Sequence, residues 1–189
     1  MIDVPAGAAP LRVSFRAMSY AMRCLVQSLC LSLCLALCLA LCLAACGTDN
    51  ADVAGDYTIT LTNRDNGCNF GNWTSGASSA AAVTLTQSKN DVSATVTGLG
   101  AVFLEVAIGG HIYDGAVEGN SLDLTLFGTR SNTMGNCTFT FNSEIHATID
   151  GDVLTGEIDY LSATNGNPDC AAVASCRSLQ DFNGTRPPR

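Results

Sequence analysis

Ten cysteines set the first chemical question, because a thiol can be alkylated, oxidised or bound to a metal, and nine of them, all but Cys24, fall into two groups. Cys30, Cys34, Cys38, Cys42 and Cys46 recur every fourth residue, a spacing that lines them up on one helix face. The Leu-Cys-Leu-Ala repeat around them accounts for four of the five as small hydrophobes filling a low-complexity apolar segment. Only Cys46 has flanks that suit chemistry. Cys68, Cys137, Cys170 and Cys176 are spread over the rest of the chain, and an even number in an exported domain reads as two disulfides. Of the three possible pairings, Cys170 with Cys176 and Cys68 with Cys137 are expected, since the first closes a short loop. A zinc site is the rival, but the chain has no Cys-x-x-Cys, and its two histidines, His111 and His146, are remote from these cysteines in sequence.

Acid and base chemistry has few candidates. Glu144 and His146 stand two apart in a strand-like run, so they point the same way, as do Glu157 and Asp159. Solvated side chains on an outer wall explain both pairs more simply. Asp150 and Asp152 flank Gly151 in a turn that turn chemistry alone explains, and Asn63-Arg64-Asp65-Asn66-Gly67 lacks the acid spacing of a calcium loop. No nucleophile elbow, metalloprotease helix, phosphate loop or dinucleotide fingerprint occurs. The expectation is a protein that is not an enzyme, with no catalytic residue, no cofactor and no metal assigned. Trp73, the single tryptophan, lies in a Gly/Ser/Ala-rich loop from Gly67 to Ala80. With Phe70 it is a candidate ligand or lid contact over a barrel mouth, or else a structural plug of the barrel end.

Arg12, Arg16 and Arg23 precede the apolar run, and no charge occurs between Arg23 and Asp49. Positive flank, apolar core and small residues at Ala44 and Ala45 form a secretory signal. The run from Cys24 to Ala45 is long enough to span a bilayer, so a retained transmembrane anchor is the alternative. Residues 1–17 precede the plausible starts Met18 and Met22 and are set aside. Leu43-Ala44-Ala45-Cys46 resembles the lipobox of bacterial lipoproteins. That resemblance implies cleavage before Cys46, a diacylglyceryl group (with palmitate-type acylation) on Cys46, and attachment to a membrane. Gly47 after the cysteine, where Asp resembles an inner-membrane retention signal, implies the outer membrane of a Gram-negative bacterium. Two or more acyl chains hold a protein firmly where one is marginal.

Removal of residues 1–45 leaves 144 residues, one domain's worth of chain. Six Lys and Arg against sixteen Asp and Glu give this part a balance of −10, which argues against nucleic acid and against an electrostatic grip on anionic lipid.

From Asp56 the chain alternates apolar with Thr- or Ser-rich positions, a period of two. Turn signals at Lys89-Asn90-Asp91, Glu118-Gly119-Asn120 and Asp150-Gly151-Asp152 are short enough for hairpins. Eight antiparallel strands are expected, at roughly 55–62, 81–88, 91–98, 101–108, 111–119, 121–129, 137–149 and 152–161. Eight is the number at which a meander closes around an interior filled by side chains or holding one small ligand.

The pattern resembles the lipocalin and avidin-like up-and-down barrels, with Gly55-Asp56-Tyr57 where lipocalins carry Gly-x-Trp, and Val153-Leu154-Thr155-Gly156 similar to a strand phrase of such barrels. The expected layout is a leader at 1–45, a lipidated linker at 46–54, the barrel at 55–161 and a disulfide-closed extension at 162–189. The tail is too rich in Gly, Pro and charge for regular structure, and Arg186 is expected to stack on Trp73. The expected function is a binding module for a small apolar ligand or an envelope partner, with a solid structural barrel as the alternative.

Overall fold

A computed structural model describes residues 49–188; the leader, the lipobox and Cys46 lie outside the described residues. The elements are β1 (Gly55–Asn66), β2 (Ser78–Ser88), β3 (Asp91–Thr97), α1 (Leu99–Ala107), β4 (Ile112–Glu118), β5 (Ser121–Leu126), β6 (Asn132–Met134), β7 (Cys137–Asp150), β8 (Val153–Thr164), a 3₁₀ turn (Pro168–Ala172) and β9 (Arg177–Thr185). Every pairing is antiparallel and runs in the order β5-β4-β3-β2-β1-β9-β8-β7-β6, and β5 also pairs with β7. That last pairing closes an eight-stranded up-and-down barrel, and β6 is an extra short strand lying only against the start of β7. The sheet, its core and both disulfides fall within one unit, Asp49–Arg189.

Alternation explains the wall. Tyr57 and Ile59, Val83 and Leu85, Val92, Ala94 and Val96, Leu122, Leu124 and Leu126, and Ile149 with Leu154 turn inward and are buried, while the Thr and Ser positions between them face out. Tight coiling needs close approach at some inward positions. A Cβ on Gly115 would stand 2.0 Å from the Asp123 carbonyl oxygen, so only glycine fits where β4 crosses β5.

Two expected elements are corrected. Residues 101–108, expected as a strand, form most of α1: the segment is too apolar for its period to decide, and Leu104 and Ile108 reach the core from a helix laid over one barrel end. The segment 162–189, expected outside the barrel, completes it. β8 runs on to Thr164, and β9 pairs with both β8 and β1. The count of eight holds with one strand lost and one gained.

The two ends differ. Two-residue turns at Lys89-Asn90, Gly119-Asn120 and Gly151-Asp152, each with a left-handed first residue, close one end. Residues 50–53 are laced there: Ala51 N–H donates to the Gly119 carbonyl at 2.8 Å and Val53 N–H to Gln87 Oε1 at 2.7 Å. Arg186 joins them. Its guanidinium bonds Asp152, the Ala54 carbonyl and the Gly151 carbonyl, and lies 5.6 Å over the Tyr57 ring. The expected stacking of Arg186 on Trp73 is therefore corrected, because β9 carries Arg186 to the end opposite Trp73. The other end holds the long connections: 67–77, the α1 segment, 127–136 and 165–176.

Candidate functional site

The long-loop end is built on the bulge in β1. The register against β9 slips between Asn63, opposite Gln180, and Asn66, opposite Ser178. One additional residue on β1 aims both asparagines inward and leaves Arg64 outside, paired with Asp181 at 3.1 Å. Gln180 Nε2 donates to Asn63 Oδ1 at 2.7 Å, and the Tyr160 hydroxyl donates to Gln180 Oε1 at 2.8 Å. Across the barrel the Tyr113 hydroxyl donates to Ser143 Oγ at 2.9 Å. Burial pushes the Tyr113 phenol up to about 12, against the opposing pull of the Ser143 bond, and holds Tyr160 well above its ordinary value. The interior beneath the loops is thus lined by neutral hydrogen-bonding groups with no buried side-chain polar atom left unpaired among the described residues.

Above this layer sits an aromatic cluster. Phe70 lies 4.8 Å from Phe141, 5.6 Å from Tyr160, 5.9 Å from Trp73 and 6.5 Å from Phe103, centroid to centroid. Trp73 meets Tyr160 edge-on at 5.9 Å and donates its indole N–H to the Arg64 carbonyl at 3.0 Å. The sequence candidates Phe70 and Trp73 are therefore together at the barrel mouth. Phe103, Phe141 and Tyr160, which complete the cluster, were missed as site residues. Phe141 and Tyr160 read as ordinary strand residues, and Phe103 sat in a segment assigned to a strand.

The disulfides staple this same end. Cys68 pairs with Cys176 and Cys137 with Cys170, which corrects the expected Cys170–Cys176 and Cys68–Cys137 pairing. The 3₁₀ turn from Pro168 holds Cys170 toward the start of β7, and the chain after it delivers Cys176 to the Gly67-Cys68 corner, where the Gly67 N–H bonds the Arg177 carbonyl at 3.0 Å. Closeness in sequence was the wrong guide to closeness in space.

α1 caps the rim. Gly109, in a left-handed conformation, ends the helix, and its N–H returns to the Leu104 carbonyl at 3.0 Å. The Thr129 and Arg130 amides both bond the Ile108 carbonyl at 2.9 Å, fixing the next loop to the helix end. Leu99, Val102, Phe103 and Val106 face solvent, 88%, 59%, 41% and 59% exposed.

His146 stands elsewhere, on the outer wall beside an open groove of about 490 Å³ lined by Asp123, Thr148, Thr155, Glu157 and Asp181 among others. Its Nδ1 meets Asp123 Oδ1 at 2.6 Å, while its Nε2 lies 3.9 Å from Glu144. The sequence offered Glu144 as the partner; the closer one, Asp123, is opposite His146 on β5 and invisible to spacing along one strand. The hydrogen bond with Asp123 raises the imidazole pKa, outweighing partial desolvation. His111, the other histidine, meets Glu105 of α1 at 2.5 Å. Among the described residues no group of three or more His, Cys, Asp or Glu is arranged to hold a metal ion.

Fold and site define a small, disulfide-stapled, closed antiparallel β-barrel with an apolar long-loop end. No protein-family model matches the chain, and no curated protein matches it in sequence. Among solved structures it is similar to one described as EF1p2_mFAP2b bound to DFHBI, at 17% identity over 71% of this chain and 94% of that chain, with a TM-score of 0.43. A likeness at that level carries no functional argument.

Proposed function

We propose that this chain is a non-catalytic, lipid-anchored envelope lipoprotein, tethered through Cys46 in the outer membrane, whose barrel binds an apolar ligand or partner at its long-loop end. The observation that carries the binding reading is the contact of Phe103 with Phe70, which joins the exposed apolar side chains of α1 to the aromatic cluster over the mouth. Soluble surfaces rarely gather apolar groups in this way without a use for them. The neutral polar layer beneath the cluster favours an uncharged ligand, since a buried ion would meet no counter-charge there. Oxidised cysteines suit an exported domain. Four residues separate Cys46 from Ala51, which is bonded at the closed end.

Two measurements test this. Labelled palmitate is expected to enter the full-length chain in a Gram-negative host and to be absent from Cys46→Ser. The chain from Gly47 onward, secreted into an oxidising compartment, is expected to bind N-phenyl-1-naphthylamine with a change in Trp73 emission, and native mass spectra are expected to show a ligand mass lost on denaturation. A bare protein that ignores the probe would favour the second reading, a solid structural barrel. One observation speaks for that reading: the Asn66 side chain bonds both the N–H and the carbonyl of Phe70 and holds it in the mouth.

A further inference from the structure

We infer that the free amide nitrogen of Asn63 is the polar recognition group of the long-loop end, donating to a neutral carbonyl oxygen on an otherwise apolar ligand; the inference rests on the binding-module reading and names its ligand chemistry. Three side chains in a row lead to this group. The Tyr160 hydroxyl donates to Gln180 Oε1 at 2.8 Å, and Gln180 Nε2 donates to Asn63 Oδ1 at 2.7 Å. Amides can be turned end for end without changing shape, so the sense of such a chain has to be set by a group that cannot turn. Tyr160 is that group. It is 3% exposed, and Gln180 is the one partner of its hydroxyl among the described residues. Were Gln180 to present its nitrogen instead, the phenol hydrogen would be buried without an acceptor, which costs more than a made hydrogen bond returns. Burial also holds the phenol well above its ordinary pKa, so it remains a donor near neutral pH. With Tyr160 donating, Gln180 offers its oxygen to the phenol and its nitrogen to Asn63, and Asn63 offers its oxygen to Gln180. The chain therefore ends in a donor, Asn63 Nδ2, polarised by two bonds that run in the same sense.

That nitrogen makes no hydrogen bond within the described residues. Since none of their buried side-chain polar atoms is unpaired, Asn63 Nδ2 is within reach of solvent, although the residue is half-buried and turned inward by the bulge. Its surroundings are those of the mouth. The Asn63 N–H and carbonyl pair with Ala77 and Gly76, where the long loop returns, and Trp73 reaches from the Arg64 carbonyl beside Asn63 to the ring of Tyr160 at the other end of the chain. Charge narrows the ligand. Arg64, the nearest basic residue in sequence, lies outside the barrel and is spent on Asp181, so it offers a carboxylate no counter-charge. A ketone, ester or amide oxygen leaves water at far lower cost and gains a bond from a polarised amide.

The test uses the chain from Gly47 onward, which retains the whole sheet and both disulfides, and a matched pair of naphthalene probes. The first is 6-propionyl-2-(dimethylamino)naphthalene; the second is its 6-propyl counterpart, with a methylene in place of the ketone. The ketone is expected to bind the wild type about fivefold tighter than the methylene probe. Asn63→Asp keeps an oxygen for Gln180 but puts an acceptor where the donor was, and should erase the preference. Tyr160→Phe keeps the ring but frees both amides to turn, and should reduce it. Val153→Ser, exposed at the closed end, should leave it unchanged. A preference that survives Asn63→Asp, or is undiminished in Tyr160→Phe, would overturn the inference. So would tighter binding of 6-(dimethylamino)-2-naphthoate than of the ketone, since the site would then select a carboxylate. Should Asn63→Asp not fold, the wild type decides by itself: equal binding of ketone and methylene probes sinks the inference. If N-phenyl-1-naphthylamine binds while the ketone is not preferred, the inference falls alone; if no probe binds, the binding-module reading falls with it.

Discussion

The side chain of Asn66 grips the backbone of Phe70 from both sides: its Oδ1 accepts the Phe70 N–H at 2.8 Å and its Nδ2 donates to the Phe70 carbonyl at 2.9 Å. The same Oδ1 accepts from Ser178 Oγ at 3.1 Å, and Ser178 Oγ in turn accepts the Cys68 N–H at 3.0 Å. One amide thus ties the first loop to β9 and sets the ring at the hub of the cluster. Asn66→Ala removes three bonds and leaves half-buried groups without partners, so a loss of about 1–3 kcal/mol is expected in urea unfolding. Trp73 emission should shift to the red as the loop loosens. An unchanged midpoint would mean that the neighbouring disulfide alone holds the loop.

Non-reducing peptide mapping of the secreted chain should find Cys68 joined to Cys176 and Cys137 to Cys170. The first bridge spans 108 residues and the second 33. By the loop-entropy argument each contributes about 3–5 kcal/mol, the longer one more. Paired Ser replacements, Cys68→Ser/Cys176→Ser and Cys137→Ser/Cys170→Ser, compared by denaturant midpoint, check both the pairing and the order.

Strands whose inward positions are aliphatic were legible in the sequence, as in Leu122, Leu124 and Leu126. β9 was not, because its inward residues are Ser178, Gln180, Phe182 and Gly184. Three of the four are polar or tiny, buried only because Asn63, Asn66 and Tyr160 bond them or Ile59 packs against them; a hydrophobic alternation cannot reveal such a strand. α1 was hidden for the opposite reason. Its most apolar positions face outward, so the usual inference from hydrophobicity to burial points the wrong way there. Of the candidate site, Phe70 and Trp73 stood out by loop context, whereas Phe103, Phe141 and Tyr160 join them only through the closure of the barrel.

Asp123 holds the imidazolium of His146, so the folded pKa lies above the ordinary value of about 6.5. A histidine raised on folding adds stability that is full below the unfolded pKa and is lost as pH rises through the folded one. The pair is largely exposed, so the contribution is expected to be under about 1 kcal/mol. NMR titration should place the His146 midpoint above 6.5, and Asp123→Asn should bring it down. A midpoint that Asp123→Asn leaves unmoved would assign the shift to Glu144 and Asp159 instead.

Arg186 closes the end from which the chain enters the barrel. Its Nε donates to Asp152 Oδ1 at 2.9 Å and its Nη1 to the Ala54 carbonyl at 2.7 Å, while the guanidinium covers Tyr57, whose hydroxyl donates to the Val53 carbonyl at 3.0 Å. The side chain is nearly buried although its partner Asp152 is half-exposed, so the pair gains from low local dielectric without stranding the carboxylate. Arg186→Ala should therefore cost about 1–3 kcal/mol, through the lost bonds and the uncovered ring. Arg186→Lys keeps the charge but not the planar fork that reaches Asp152 and two carbonyls together, so most of the loss should remain. Hydrogen exchange locates the damage. Protection should fall at Ala51 and Val53 and hold at Cys68 and Phe70 at the far end. If exchange rises at both ends alike, the barrel responds as one unit and Arg186 is not a local clamp.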